Sequence, residues 1–238
     1  MKERLIFALD VDSFEQAKSW VKLLHGEVGM FKVGKQLFTR CGPSVVQMII
    51  DEGGEVFLDL KYHDIPNTVA KASIEAARMG VKMFNVHALG GRAMMECMVG
   101  EVVSAAEDEG FDLPIMLGVT ILTSSSESDL EEVGILKPVI EMVPLLARLA
   151  KRSGMHGVVA SAQELSLIRG ACGDDFIVVT PGVRPATASQ DDQQRVMTPG
   201  KAISAGADYL VVGRPISKAD DPVAAAREIV AQMAQGAV

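Results

Sequence analysis

Apolar and polar positions along the chain alternate between two periods. Short runs rich in β-branched and aromatic residues are separated by longer stretches whose apolar positions recur at helical spacing. "RLIFALDV" is the first short run. A helix follows in "SFEQAKSWVKLL", with Ser13 as N-cap, Gln16 as its capping-box partner, and Phe14, Ala17, Trp20, Val21 and Leu24 at helical spacing. "GMFKVGKQLF" predicts the second strand, and the helix "PSVVQMIIDEGG" opens at Pro43 and stops at Gly53 and Gly54. "EVFLDLKY", "VKMFNVHAL", "PIMLGVTIL", "GVVAS", "DFIVVTPGV" and "DYLVVGRPI" predict the remaining strands. Each is followed by a helical pattern, from "NTVAKASIEAARMG" after the third to "PVAAAREIVAQMAQG" after the eighth.

Apolar strands that each lead into a helix imply a parallel sheet buried on both faces. In 238 residues the simplest closure is an α/β fold of the (β/α)8 TIM-barrel type, with a doubly wound open sheet as the alternative. No linker, low-complexity tract or short-period repeat breaks the pattern, so one barrel domain over 1–238 is expected. The chain is 48% hydrophobic, richer than a disordered chain would be. Its net charge of −8 argues against nucleic acid or an anionic membrane as partner, but leaves room for a small anionic ligand at a local positive site. Three widely spaced cysteines, Cys41, Cys97 and Cys172, fit neither a disulfide framework nor a zinc knuckle, and reduced thiols in a cytoplasmic protein are expected. "MKERLIFALD" does not read as a signal peptide, and charge, Gly or Pro cuts every apolar stretch short of the ~20 residues a span needs.

A barrel places its chemistry at the C-terminal ends of the strands. The polar residues there are Asp10, Lys32, Asp59 with Lys61, Asn85 with His87, Thr120 with Thr123, Arg184 and Arg214. The densest stretch is "VFLDLKYHDIPNTV". Asp59 and Lys61 are two apart and share a strand face, with backbones roughly 6–7 Å apart at ~3.3 Å per residue. Phe57 and Leu60 are expected on the opposite face, against the helices. Lys32 ends the neighbouring strand, and Asp64 lies on the loop beyond. Such charge could be a structural ion-pair network. Desolvation offsets much of the attraction in a buried pair, so a chemical task explains the array better.

A second signal closes the last two strands, "TPGVRP" and "VVGRPI". Gly182 and Gly213 let a ligand approach the backbone, and Arg214 adds charge at a place where barrels often bind phosphate. Between them, "RPATASQDDQQRVMTPG" is long for a βα loop and reads as a lid, with Gln193 and Arg184 able to fold over a bound phosphate. No nucleotide loop of the P-loop or Rossmann kind and no transition-metal cluster is present in the sequence. His63 and His87 read as packing or supporting groups near the mouth, His25 and His156 as surface or loop residues. The residues alone suggest an enzyme for a small phosphorylated substrate, using lysine–carboxylate chemistry, or a non-catalytic barrel for such a ligand.

"FLDLKYHDIPNTV" resembles the signature of the orotidine 5′-phosphate decarboxylase family. The likeness continues in order through "FALDV", "FKVG", "NVHALGG", "VTILTS", "TPGVRP" and "VVGRPI". It implies cofactor-independent decarboxylation of orotidine 5′-phosphate to UMP, without metal, in a homodimer with shared active sites. Lys32, Asp59, Lys61 and Asp64 match the family's charged tetrad, with Lys61 as proton donor and Asp64 reaching in from the other subunit. Asp10 and Lys32 match groups holding the ribose hydroxyls, and Thr68 matches a partner-subunit contact to the ribose. Thr123, with Ser124 beside it, matches the contact to the pyrimidine edge; Thr120 is the competing register. Arg184, Gln193, Gly213 and Arg214 match the phosphate grip. The alternative within the same superfamily is a metal-dependent keto-sugar-phosphate decarboxylase or hexulose-phosphate synthase, which uses Mg2+.

Overall fold

The computed structural model describes residues 1–184 and 197–237. Its strands are β1 (Leu5–Ala8), β2 (Met30–Gly34), β3 (Val56–Tyr62), β4 (Met83–His87), β5 (Ile115–Val119), β6 (Gly157–Val159), β7 (Ile177–Pro181) and β8 (Tyr209–Val212). They pair in chain order, all parallel, and β8 closes on β1 through Leu5 opposite Leu210. The fold is the expected (β/α)8 barrel rather than an open sheet.

Among the described residues, eleven α-helices connect and cover the strands. In the first half these are α1 (Phe14–Leu24), α2 (Lys35–Cys41), α3 (Ser44–Asp51), α4 (Pro66–Arg78) and α5 (Gly91–Glu109). In the second half they are α6 (Glu127–Glu132), α7 (Val139–Arg152), α8 (Leu165–Cys172), α9 (Pro199–Ser204), α10 (Arg214–Ser217) and α11 (Pro222–Gln235). None of the described helices is long and apolar enough to cross a membrane.

Two predicted runs are divided where the period changes. "GMFKVGKQLF" is a strand only to Gly34, and Lys35 opens α2. "DYLVVGRPI" is a strand only to Val212, and Arg214 opens α10. Ser13 caps α1 as expected, its Oγ accepting the Gln16 N–H at 3.2 Å. The Gln16 side chain, however, accepts from the N–H of Asp12 at 3.1 Å, one residue before the N-cap.

Inside the barrel, Ile6, Met30, Phe57, Met83, Leu117, Val159, Val179 and Val211 form one apolar cluster. The alternate residues, among them Leu5, Phe7, Phe31, Leu58 and Phe84, pack outward against the helices. Phe57 is therefore inside, below Asp59, and not on the outer face as expected from sequence. The two-residue period of a strand requires it: Phe57 and Asp59 share a face, and Leu58 takes the other. His156 lies in the loop before β6, within the surface-or-loop expectation. It is half-buried, its Nδ1 accepts the Met116 N–H at 3.0 Å, and burial lowers its pKa.

The N-terminal rim of the barrel is pinned by arginine. Arg169 donates to the Phe176 carbonyl at 2.6 Å, to the Gly206 carbonyl at 3.0 Å and to Asp208 Oδ2 at 2.6 Å. Asp208 Oδ2 in turn accepts the Val178 N–H at 2.7 Å, and Arg4 donates to the Asp208 carbonyl at 2.6 Å. Arg169→Ala leaves these acceptors unmatched at a part-buried rim. It is expected to cost about 2–4 kcal/mol and lower Tm by roughly 5–12 °C, measured by calorimetry. Unchanged Tm would show the rim to be held by its backbone alone.

Candidate active site

The strand β3 stays regular until Leu58 and then changes. Its register against β4 shifts between Leu58 and Tyr62. Within that break Lys61 adopts φ 52°, the one positive φ at a non-glycine residue among those described. A bulge of this kind re-aims side chains at a strand end. Here it leaves Asp59 and Lys61 at the barrel mouth with their charges together.

These charges form a row of alternating sign. Asp10 Oδ1 lies 3.3 Å from Lys32 Nζ, Lys32 Nζ lies 3.6 Å from Asp59 Oδ2, and Asp59 Oδ1 lies 2.6 Å from Lys61 Nζ. Asn85, from β4, donates through Nδ2 to Asp59 Oδ1 at 2.7 Å and accepts the Lys61 N–H at 2.8 Å. The Asp59 carboxylate is largely buried, which by itself disfavours its charge. The ammonium groups of Lys32 and Lys61, with hydrogen bonds from Lys61 and Asn85, outweigh that burial and hold its pKa below the usual carboxylate value. Asp59 is thus an anion at neutral pH.

Beside this row is a cavity of about 220 Å³ with two kinds of wall. Lys32, Asp59 and Lys61 make one side, and Thr123 and Ser124 another. Phe57, Val119, Ile121, Val159, Pro181 and Val211 supply apolar surface. A flat, partly apolar ring with polar edges suits such a space. Thr120 is buried in the wall instead, its hydroxyl donating to the Val159 carbonyl at 3.1 Å. The geometry therefore favours Thr123 over Thr120 as the pyrimidine-edge candidate.

A second cavity, of about 180 Å³, opens on the far side of Lys32 and shares Lys32, Pro181 and Val211 with the first. Asp10, Gly182, Arg184, Gly213 and Arg214 line it. Gly182 has φ 78°, a left-handed conformation that glycine adopts without strain. A Cβ at Gly213 would lie 3.3 Å from Ala8 Cβ and 3.6 Å from Asp10 Oδ2, filling the floor of the cavity. Two arginines and two glycines in its lining suit an anion beside the first cavity.

Three expected site residues stand apart. Asp64 and Thr68 are exposed on the β3–α4 turn and in the first turn of α4. Asp64 accepts the N–H of Ile65 at 2.6 Å, and among the described residues no ion pair joins it to Lys61 of its own chain. Gln193, and most of the expected lid, lie outside the described residues. Sequence reasoning gave no role to Gly34 or Lys35, which line a third recess beside Asp10, Lys32 and Lys61. A Cβ at Gly34 would meet Lys32 Nζ at 3.1 Å, so the glycine leaves room for the lysine head. His63 and His87 meet near the mouth with ring centroids 5.6 Å apart and planes tilted by 44°. Burial, reinforced by the nearby His63, Lys35 and Lys61, lowers the His87 pKa to about 4, so it is neutral at physiological pH.

Residues 3–229 match the family model for the orotidine 5′-phosphate decarboxylase / HUMPS family. The chain is 66% identical over 236 residues to the orotidine 5′-phosphate decarboxylase of Syntrophotalea carbinolica, covering 98% of this chain and 96% of that one. It is 61% identical over 235 residues to the enzyme of the same name from Geotalea daltonii, covering 99% and 98%. Among solved structures, an orotidine 5′-phosphate decarboxylase from Lactobacillus acidophilus superposes with a TM-score of 0.85 at 38% identity, covering 96% of this chain and 98% of that one.

Proposed function

The chain belongs to the orotidine 5′-phosphate decarboxylase / HUMPS family and is a carboxy-lyase; from that premise we propose that it converts orotidine 5′-phosphate to UMP and CO2 in pyrimidine synthesis. One observation carries the reading. The alternating row Asp10–Lys32–Asp59–Lys61 borders a ring-sized cavity, and Lys32 joins that cavity to a pocket bearing two arginines. A phosphorylated nucleotide with a reacting ring has that outline.

The chemistry explains the charges. When the C6–carboxylate bond breaks, CO2 leaves and the electron pair stays on C6. That pair occupies an sp² orbital in the ring plane, where the ring π system cannot delocalise it. Stabilisation must come from charge placed by the protein. Lys61 faces C6, favours the developing carbanion and delivers the proton that replaces CO2. Solvent then reprotonates the lysine. Asp59 lies close to the departing carboxylate, and Lys32 keeps Asp59 ionised from its other side. The 2.6 Å contact to Asp59 holds the Lys61 ammonium in position before the reaction.

The remaining assignments follow the same reading. Asp10 and Lys32 hold the ribose hydroxyls, Thr123 meets the pyrimidine edge, and Arg184, Gln193, Gly213 and Arg214 grip the phosphate. Asp64 and Thr68 are exposed in this chain, and in a cytoplasmic homodimer they serve the partner's site. The neighbouring Ile65, 67% exposed, gives that turn an apolar contact for a second copy.

Orotidylate mixed with purified protein in EDTA is expected to show the ultraviolet absorbance change of UMP formation, at the rate seen without chelator. Loss of turnover in EDTA, restored by Mg2+, would favour the metal-dependent sugar-phosphate enzymes of the same superfamily. Tight UMP binding with no CO2 release would favour a binding barrel.

A further inference from the structure

We propose that Asn85 is a positioning residue, whose one side-chain amide fixes both the Lys61 backbone and the Asp59 carboxylate in their reacting geometry. The inference rests on the assignment of Lys61 as proton donor.

Asn85 is wholly buried in the middle of β4, yet both its polar atoms face site residues. Its Oδ1 accepts the Lys61 N–H at 2.8 Å, and its Nδ2 donates to Asp59 Oδ1 at 2.7 Å. The first contact falls inside the break of the β3–β4 ladder, where Lys61 has φ 52°. A non-glycine residue holds such a conformation only when its surroundings impose it. The Asn85 carbonyl supplies the acceptor for the Lys61 N–H inside that break, so it stabilises the bulge that aims the lysine. The second contact sets the rotation of Asp59. Oδ1 takes the Asn85 amide and the Lys61 ammonium, which leaves Oδ2 turned toward Lys32.

A neutral donor and acceptor on one planar group is what this position requires. A carboxylate could still accept the Lys61 N–H, but its second oxygen would oppose Asp59 Oδ1. The charged groups around position 85 are Asp59 and Lys61 from β3, with Lys32 of β2 beyond Asp59. On its own strand His87 follows two residues later, in ring contact with His63. On β5 the residue opposite is Leu117, which does not titrate.

The test is Asn85→Asp, nearly isosteric, beside Asn85→Ala. Two facing carboxyls raise the pKa of one of them, and only the protonated form replaces the lost N–H donor. The ratio of Asn85→Asp to wild-type kcat is therefore expected to rise at least about tenfold from pH 8 to pH 6. Asn85→Ala is expected to lower kcat by about 50-fold or more, with KM for orotidylate changed less than about threefold. Thermal unfolding and UMP binding check that both variants are folded. A pH-independent ratio for Asn85→Asp, or both variants within about threefold of wild-type kcat, would overturn the proposal. If Asn85→Ala does not fold, the pH ratio decides. If neither folds, the contact is structural and the proposal falls. Full activity of Lys61→Ala would remove the underlying reading instead. An inactive Lys61→Ala with fully active Asn85 variants would remove this inference alone.

Discussion

Lys61→Ala is expected to abolish measurable turnover while UMP still binds. The ammonium lies 2.6 Å from Asp59 Oδ1, and Lys61 lines the larger of the two cavities at the mouth. An ion pair at ~4 Å and an effective dielectric of ~20 is worth about 4 kcal/mol. That loss alone slows the reaction roughly a thousandfold. The loss of the proton source adds to it, since general acid catalysis contributes about 10²–10⁴-fold. Binding should survive, because UMP has no carboxylate or carbanion for the lysine to meet. The fold should survive as well, since Asp59 keeps Lys32 and Asn85 as partners. Single-turnover absorbance and calorimetric UMP titration separate the two effects. Turnover within tenfold of wild type would remove Lys61 from the reaction.

Arg214→Ala is expected to lower kcat/KM for orotidylate at least about a hundredfold, the scale of a charge-assisted contact to an anion. Arg214 opens α10 directly after Gly213, and its pocket shares Lys32 with the cavity that Asp59 and Lys61 line. On the proposed reading, phosphate held there would fix the ring against Lys61, so energy from a remote group would appear in the rate. The bare nucleoside orotidine carries no phosphate, and its slow turnover should change less than about threefold. An equal loss for nucleotide and nucleoside would take Arg214 out of the phosphate site. The two variants thus divide the site into a reacting half and a gripping half.

Much of this architecture was legible in the chain. The alternation of apolar strands and helical patterns required a parallel sheet covered on both faces, and the observed barrel pairs the strands in that order. Charge at the end of β3 pointed to chemistry, because an apolar strand has no packing use for Asp59 and Lys61. The glycine–arginine ends of β7 and β8 indicated an anion pocket, and Arg184, Gly213 and Arg214 do line one cavity. Periodicity failed where two elements abut without a break. Lys35 opens a helix directly after β2, and nothing local marks the change beyond Gly34.

What the sequence determined by itself was the set of elements and the residue types at their ends, because period and composition are local properties. What only the tertiary structure decided was which of those residues meet. The bulge at Lys61, the Asn85 amide across the ladder, and Thr123 rather than Thr120 in the cavity all depend on closing the barrel. Residues 24 and 26 positions apart come within hydrogen-bond distance only when β3 and β4 lie side by side, and no period along the chain records that contact.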